Sequence, residues 1–426
     1  MASPPDHHWS HLALVKLSAY SFGVTGLIFA LDTVILPTRV LEIAPEDLKN
    51  TYLAVLGVSG LLLAALVHLA IGRISDRTRS PLGRRVPYLM WGAALGSLGL
   101  LGVGLVPGFL ALLGVWLFIQ GNINIGYGPY QALIRDLVPA HRTAAASSIK
   151  ILLDAAGGVV FIKISGDLID RSTGSGSSSF LWLALGLLAI NLILATAITT
   201  LTVRAREELA GFRSGGMSLP RLRVPGLHPQ LTRFLVSRFL MMGAIAILQT
   251  YGLFFLRDVV GLDNPARALG NMVLVVGSAL ALTVYPAARI SDRVGRKPLV
   301  LAGAIGAAIG GIAMLSAVNQ TQVLIIASIM GASVGTMLSA HWAMANDIST
   351  SGREAEHIGL VTMATIGGAV FAKALGPGVD LLNRLSSNAG YQALLVGCAV
   401  LYIVGALVLM PVKVEVPKTV PSEEAR

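Results

Sequence analysis

The sequence predicts an all-α integral membrane protein with twelve transmembrane helices arranged as two six-helix bundles. Composition is the first observation behind this fold class, because 54% of the 426 residues are hydrophobic and only 13% are charged. Soluble domains usually carry about 25% charged residues. The other two observations are twelve apolar segments of membrane-spanning length and an internal repeat that divides the chain.

Twelve apolar segments are long enough to cross a bilayer, which requires about 20 residues. Together they leave no room for a folded soluble domain. The sequence therefore argues against an enzyme with an active site outside the membrane. The segments lie at residues 12–36, 50–72, 87–106, 109–134, 145–170, 179–203, 230–256, 266–288, 298–317, 321–346, 357–383 and 390–411.

The positive charge is unequally divided between the two sides that these segments define. Of the 32 Lys and Arg residues, 23 fall on the side of the N-terminus and three inside helices. The other six lie on the opposite side, at Arg39, Lys49, Arg171, Arg257, Arg267 and Arg384. Because basic loops stay in the cytoplasm, we expect both termini in the cytoplasm and a cell membrane location, the inner membrane in a prokaryote. The net charge of +10 then needs no nucleic-acid partner.

An internal repeat relates the two halves of the chain. The sequence Ile-Ser-Asp-Arg occurs at residues 74–77 and again at 290–293, 216 positions later. A longer pattern, Gly-Gly-x-x-Phe-x-Lys-x-x-Gly-x-x-x-Asp, occurs at residues 157–170 and at 367–380. Both repeats run in the same direction and each half has six segments, so the halves are expected to be related by an axis along the membrane normal.

The repeat predicts the domain boundaries. Residues 1–203 form the N-terminal six-helix bundle and residues 230–411 the C-terminal one. The segment between them, 204–229, is basic and contains glycine and proline, so it is predicted to be a cytoplasmic linker. Residues 412–426 are predicted to be a cytoplasmic tail.

The loop after the second segment carries a motif. The pattern Gly-x-x-x-Asp-Arg followed by Arg-Arg spans residues 72–85, and a related sequence lies at 288–297. It resembles the signature loop between the second and third helices of the major facilitator superfamily. The fuller string at residues 75–88 is similar to the sucrose transporter and glycoside–pentoside–hexuronide symporter branches, and residues 128–137 are similar to the fourth helix of sucrose-type transporters.

The resemblance implies the major facilitator fold and a gating role for the charged loops. In the superfamily this cluster holds the cytoplasmic sides of the bundle together. Two further aspartates, each followed by an arginine, look like partners in the same network. The alternative for each arginine is membrane anchoring alone. The expected gating residues are Asp76, Arg77, Arg85, Asp136, Arg142, Asp292, Arg293, Asp347 and Arg353.

The resemblance also implies that helices one, four, seven and ten line a central cavity. On the fourth helix, Gln120, Asn124, Tyr127 and Gln131 follow one another at helical spacing and share a face. Amides both donate and accept hydrogen bonds, which suits a neutral, hydroxyl-rich ligand. The alternative is hydrogen bonding between helices.

The first helix contains an intramembrane carboxylate, Asp32, on the same face as Thr25. A charge at the centre of a bilayer is costly, so such a residue is by default a functional hypothesis. We expect Asp32 to couple transport to protons and Thr25 to contact substrate. The alternative is that Asp32 lies at the interface beside Pro37. The second helix has His68 and no internal carboxylate, which departs from the sodium-coupled pattern of melibiose-type relatives.

The seventh and tenth helices supply further candidates for substrate binding. Gln249 lies near the middle of the seventh span, and Arg238 lies on the same face nearer the cytoplasm, where it could snorkel. His341 and Trp342 are adjacent in the tenth span. An aromatic face beside polar groups suits a sugar ring, although Trp342 is equally an interface anchor and His341 equally a neutral core residue.

Two lysines occupy equivalent places in the long repeat, Lys163 and Lys373, and their role is left open between structure and function. Lys163 precedes Asp167 by four residues, as Lys150 precedes Asp154. Such pairs stabilise a helix and neutralise both charges, which favours a structural role.

The leading hypothesis is a proton-coupled symporter for a sugar, glycoside or similar neutral polar solute. The alternatives are a proton-driven exporter of drugs or metabolites, and a protein with a transporter fold that does not transport. The sequence has no phosphate-binding glycine loop, metal-ligand cluster or nucleophile–base motif, so neither a cofactor nor ATP is expected. The expected partners are a small-molecule substrate, a proton and the lipid bilayer, with the protein as a monomer.

Overall fold

A computed structural model of the chain describes residues 9–78, 80–210, 228–348 and 354–412. Within these ranges the chain is almost entirely helical and contains no β-strand. Twelve of the described helices are long and apolar enough to cross a membrane. The predicted all-α class and the predicted number of spans are therefore confirmed.

The spans are labelled α1 to α12 in chain order. Two of them are interrupted, since α1 contains a π-helical turn at Leu31–Ile35 and α11 pauses between Lys373 and Gly376. The spans are α1 (His11–Ile43), α2 (Lys49–Arg77), α3 (Val86–Leu105), α4 (Phe109–Leu137), α5 (Thr143–Ser175), α6 (Ser179–Ala210), α7 (Pro229–Asp258), α8 (Pro265–Val294), α9 (Arg296–Ala313), α10 (Gln320–Ile348), α11 (Glu354–Lys373 and Gly376–Leu385) and α12 (Ala389–Leu409).

The chain divides into two compact units. The first contains Met1–Leu219 together with Thr250–Leu274 and Lys373–Gly390, and the second contains Pro220–Gln249, Val275–Ala372 and Tyr391–Arg426. The first unit thus includes the C-terminal end of α7, the N-terminal part of α8 and the second piece of α11. Division of the chain at the repeat boundary stays a prediction.

In the first unit, α1 packs against α5 and α6, and α4 packs against α2 and α3. Large side chains fill the space between these helices, and Trp116, Tyr20 and Tyr130 are almost fully buried. The indole nitrogen of Trp116 donates a hydrogen bond of 2.9 Å to the carbonyl oxygen of Leu56. This bond matters because a buried polar group without a partner is costly inside a membrane protein.

In the second unit, α9 packs closely against α10. The buried aromatic residues here are Phe234, Tyr391 and Tyr402. The chain's single cysteine, Cys398, is also buried, and its sulfur lies 3.5 Å from the carbonyl oxygen of Ala244. Both units therefore have an interior of their own, built from the faces of the helices that turn away from lipid.

Candidate functional site

A chain of polar contacts connects three helices of the first unit. Thr25 on α1 donates a hydrogen bond of 3.0 Å to Asp154 on α5, and Lys150 forms a 2.7 Å ion pair with the same carboxylate. The ammonium group of Lys150 also lies 3.3 Å from the hydroxyl of Tyr127 on α4 and 5.5 Å from the centre of its ring. Two predicted binding residues, Thr25 and Tyr127, are thus joined through the Lys150–Asp154 pair.

A second set of polar contacts lies on the same face of α4 and reaches α2, where the rings of His68 and Tyr127 lie with centroids 6.0 Å apart. His68 Nδ1 lies 3.4 Å from Asn124 Oδ1, and the amide nitrogen of Asn124 donates to the main-chain and side-chain oxygens of Gln120 at 2.8 and 3.3 Å. Gln120 is buried, whereas Gln131 at the other end of the predicted stripe is exposed. The stripe therefore runs from the core of the unit to its surface.

Asp32 on α1 and Lys373 on α11 form an ion pair with an O–N distance of 2.7 Å. The side chain of Lys373 is only 9% exposed and that of Asp32 is 25% exposed. A Cβ atom placed on Gly57 of α2 would lie 2.6 Å from Lys373 Cδ, so the lysine lies directly against that helix. Gly57 is eight residues after Lys49, the first residue of α2, or about 12 Å along the helix axis. Asp32 thus pairs with a lysine that lies beside α2 about two helical turns from its start, and its coupling role stays a prediction.

Both members of this ion pair lie where a helix is interrupted. Asp32 is in the π-helical turn of α1, where the N–H of Leu36 bonds to the carbonyl of Leu31, and Pro37 follows at once. A proline cannot donate to the carbonyl four residues earlier and clashes with it, so it bends or breaks a helix. Single π-turns are frequent at functional sites.

The interruption in α11 has the same cause. Pro377 removes the hydrogen bond that the carbonyl of Lys373 would otherwise accept within the helix. The hydroxyl of Tyr251 on α7 replaces it with a hydrogen bond of 2.9 Å. The backbone at Lys373 is therefore fixed from a neighbouring helix while its side chain reaches Asp32.

The last aspartate of each long repeat binds the start of another helix. Asp380 on α11 accepts hydrogen bonds from the main-chain N–H groups of Asn50 and Thr51 at 3.3 and 2.7 Å, and from their side chains at 2.8 and 2.6 Å. Asp170 on α5 accepts from the N–H groups of Ala266 and Arg267 at 3.3 and 2.6 Å. Both carboxylates thus cap the free N–H groups in the first turn of a helix, at α2 and at α8.

The repeat glycines allow this close approach. A Cβ on Gly376 would lie 2.1 Å from the carbonyl oxygen of Asn50, and a Cβ on Gly166 would lie 2.3 Å from that of Ala266. Only a residue without a side chain fits at either position. Lys-x-x-Gly-x-x-x-Asp is therefore a docking sequence that joins α11 to α2 and α5 to α8.

The second unit contains a polar cluster around Arg238. Its Nε donates to the hydroxyl of Thr365 at 3.1 Å, and its guanidinium carbon lies 4.5 Å from the centre of the Trp342 ring. Arg238 is 3% exposed and does not reach the surface as a snorkelling residue would, whereas Trp342 is 45% exposed. Gln249, on the same helix as Arg238, is also exposed.

His341 lies in the same unit and is almost fully buried. Its Nε2 lies 3.4 Å from the hydroxyl of Ser237, and its ring packs on Phe234 with centroids 4.5 Å apart. Its Nδ1 has no hydrogen-bond partner among the described residues. The ring of His341 therefore packs in the core of the unit, and one of its two nitrogens has no hydrogen-bond partner among the described residues.

Three of the five predicted gating residues of the N-terminal half, Asp76, Arg85 and Asp136, form an ion cluster around Arg85. Arg85 pairs with Asp136 at 2.6 Å and with Asp76 at 3.3 Å, and Arg84 pairs with Asp136 at 2.8 Å. The cluster joins the ends of α2 and α4 to the start of α3. Among the described residues, Arg142 forms no ion pair with Asp136.

The C-terminal half repeats this arrangement around Arg296. Arg296 pairs with Asp347 at 2.7 Å and with Asp292 at 3.1 Å, joining α8, α9 and α10. Arg77 and its counterpart Arg293 are exposed. The predicted partner Arg353 lies outside the described residues. Each cluster joins helices of one half, so a gating role between the halves stays a prediction.

Sequence reasoning assigned Lys150 and Asp154 to helix stabilisation and left Lys373 open. Spacing on one helix shows a partner four residues away, but it does not show that Thr25 and Tyr127 meet the same pair. Arg84 and Arg296 were likewise not selected as gating residues, although their place in the basic loops was a usable signal. Among the described residues, no group of three or more His, Cys, Asp or Glu side chains is placed to hold a metal ion.

Comparison with known proteins gives a family match over most of the chain. A family model described as "MFS/sugar transport protein", where MFS denotes the major facilitator superfamily, matches residues 20–354. A Bacillus subtilis (strain 168) protein named "Putative metabolite transport protein YwtG" is 26% identical over 340 residues, covering 70% of this chain and 69% of that protein.

Solved structures share the fold at lower identity. A D-xylose–proton symporter superposes with a TM-score of 0.70 at 18% identity, covering 96% of this chain and 98% of its own. A peptide transporter, POT, in complex with sulfate superposes with a TM-score of 0.70 at 13% identity, covering 96% of both chains. These likenesses show the fold and leave the solute open, since the two proteins differ in what they carry.

Proposed function

We propose, from the premise that the chain belongs to the MFS/sugar transport protein family, that it carries a sugar, glycoside or similar polar solute by proton-coupled symport. The protein is a multi-pass membrane protein with a transporter fold. We place it in the cell membrane with both termini in the cytoplasm, acting as a monomer by alternating access.

The Asp32–Lys373 ion pair is the observation that carries the proposal. Its two members come from opposite sequence halves, lie at interrupted helices and pair at 2.7 Å. A proton on Asp32 would neutralise the carboxylate and leave the lysine without its counter-charge. Removing one partner of a buried pair costs about 3–5 kcal/mol. Protonation thus provides a free-energy change large enough to favour a different arrangement of α1 and α11.

The polar network of the first unit supports a hydroxyl-rich solute. Tyr127 presents a phenol and Thr25 a hydroxyl within one set of polar contacts, and Asn124 presents an amide in a second set that meets the first at the rings of His68 and Tyr127. Such groups can exchange hydrogen bonds with one another for hydrogen bonds with sugar hydroxyls. We assign them, with Gln120, Gln131, Gln249, His341 and Trp342, to substrate binding.

The test is uphill transport by purified protein in liposomes, with a lower pH outside than inside and a panel of labelled sugars and glycosides. The wild type is expected to accumulate a panel member above its external concentration. Asp32→Asn should abolish accumulation while keeping exchange of internal for external solute, because the uncharged side chain resembles the protonated state.

Asp167→Asn is the matched control, since it removes a carboxylate from a more exposed pair on α5. It should accumulate solute as the wild type does. Normal accumulation by Asp32→Asn would remove Asp32 as the coupling site. Efflux of lipophilic compounds in place of sugar uptake would favour the exporter.

A further inference from the structure

A cavity of about 110 Å³ lies between α9 and α12 in the second unit. Val300 and Leu301 line it from α9, and Ala406 and Leu409 line it from α12. The lining side chains are apolar apart from Lys297, the second residue of α9. The cavity therefore combines an apolar wall with a single positive charge.

The cavity lies at the ends of two helices, where a membrane surface is expected. Lys297 is one residue from the start of α9, Leu409 is the last residue of α12, and both helices are apolar enough to cross a bilayer. Leu407 and Met410 are 51% and 50% exposed, so apolar side chains surround the cavity and can contact lipid. The loop before α9 is one of the basic loops, which we place at the cytoplasmic leaflet.

Lys297 forms no ion pair with a described residue. Neither α9 nor α12 contains an acidic residue. The two described aspartates of the second unit, Asp292 and Asp347, pair with Arg296. An ammonium group has three donors, and that of Lys297 bonds to the carbonyl oxygen of Met410 at 3.0 Å. Its charge and its other donors remain for a ligand.

The composition of the cavity distinguishes between sources of an anion. A soluble phosphate would find one cation and would leave the apolar wall without a partner. An anionic phospholipid matches both parts, because its phosphate can pair with Lys297 while an acyl chain packs against Val300 and Leu409. Basic pockets between transmembrane helices on the cytoplasmic side bind lipid head groups in this way.

We propose that this cavity binds one anionic phospholipid of the cytoplasmic leaflet, with its phosphate on Lys297 and an acyl chain between α9 and α12. The bound lipid connects the start of α9 to the end of α12 and so stabilises the second unit. The inference does not depend on which solute the protein carries.

The test compares phosphatidylglycerol with phosphatidylcholine of identical acyl chains. Their dissociation constants are measured on the full-length protein in detergent, by native mass spectrometry and by thermal stabilisation. One basic residue near the membrane surface corresponds to about a fivefold change in affinity for an anionic lipid. The wild type should bind phosphatidylglycerol about fivefold more tightly than phosphatidylcholine, and Lys297→Gln should lose this preference.

Lys16→Gln is the matched control, because Lys16 is an exposed lysine of α1 and does not line the cavity. It should keep the full preference for phosphatidylglycerol, as should Lys297→Arg, which retains the charge. Ala406→Leu fills part of the cavity and should weaken binding of phosphatidylglycerol although Lys297 is unchanged. These last two variants also serve if Lys297→Gln does not fold.

Equal affinity of the wild type for the two lipids would overturn the proposal without any variant. A lower melting temperature of Lys297→Gln with an unchanged lipid preference would show that Lys297 only holds the end of α12 through Met410. Glycerol phosphate that binds as tightly as phosphatidylglycerol, and depends equally on Lys297, would assign the site to a soluble phosphate and overturn the lipid assignment.

Discussion

In the two copies of the Lys-x-x-Gly-x-x-x-Asp sequence, the glycine and the aspartate make the same kind of contact. The lysine makes a different contact in each copy. Asp170 and Asp380 each cap a helix, and each repeat glycine lies against a main-chain carbonyl. Lys163, in contrast, pairs with an aspartate of its own helix, while Lys373 reaches across to Asp32 on α1.

The residue four positions after each lysine explains why the two lysines have different partners. Four residues after Lys163 the chain has Asp167, and four residues after Lys373 it has Pro377. The proline removes the local carboxylate and interrupts the helix at the same time. Lys373 is therefore left with a partner only on another helix. Both copies therefore form the same joint, and only the second adds an ion pair to another helix, between α11 and α1.

The largest expected effect comes from the two lysines. Lys373→Met leaves the half-buried Asp32 without a counter-charge, which should destabilise the protein by up to about 3 kcal/mol and abolish uphill transport. Lys163→Met affects a pair whose side chains are 25% and 34% exposed, so the cost should stay below about 1 kcal/mol. Thermal unfolding measures the stability of each variant, and accumulation of solute in liposomes measures its uphill transport.

The double variant Asp32→Asn with Lys373→Met sharpens this comparison. Because it removes both charges, it should recover most of the stability lost in Lys373→Met while remaining unable to accumulate solute. Equal destabilisation by Lys373→Met and Lys163→Met would show that the two copies do not differ in the way described.

A smaller effect is expected from the glycines, where the two copies should agree. Gly376→Ala and Gly166→Ala each place a methyl group against a carbonyl oxygen and should each lower stability by about 1–3 kcal/mol. Gly378→Ala and Gly174→Ala are the matched controls, since a Cβ at either position meets no atom within 4 Å. Melting temperatures that separate the two pairs would support the docking role, and equal melting temperatures for all four would refute it.

The smallest effect is expected from the caps, and here the copies should differ in degree. Asp380 accepts four hydrogen bonds and Asp170 accepts two. Loss of a helix cap costs about 0.5–2 kcal/mol, so Asp380→Ala should be near the top of this range and Asp170→Ala near the bottom. Asp47→Ala is a control from an exposed pair with Arg384. A larger loss of thermal stability in Asp170→Ala than in Asp380→Ala would contradict this prediction.

Hydropathy and the repeat were sufficient to predict the class and the number of spans, because each span depends on local composition. The Asp32–Lys373 pair was not predicted, since its members are 341 positions apart and no periodicity connects them. The capping role of Asp170 and Asp380 was also missed. Their recurrence was visible in the sequence, but the helix starts that they bind lie in other segments.

In the candidate site, too, the sequence predicts what depends on one helix and misses what depends on contacts between helices. The face shared by Asn124 and Tyr127 follows from helical spacing, and each residue lies in one of the two sets of polar contacts. Helical spacing places Arg238 on the face of Gln249, but its burial depends on the packing of α10 and α11 against it. Spacing identifies which residues share a face, and only the fold shows which charges lack a partner.

The reciprocal caps make each half depend on the other for a complete helix start. Each half provides the aspartate that completes the first turn of a helix in the other half, at Asp170 for α8 and at Asp380 for α2. Contacts exchanged in this way have the symmetry of an isologous dimer, in which the same patch is used twice. Either half expressed alone would therefore leave the first turn of α2 or of α8 without its carboxylate.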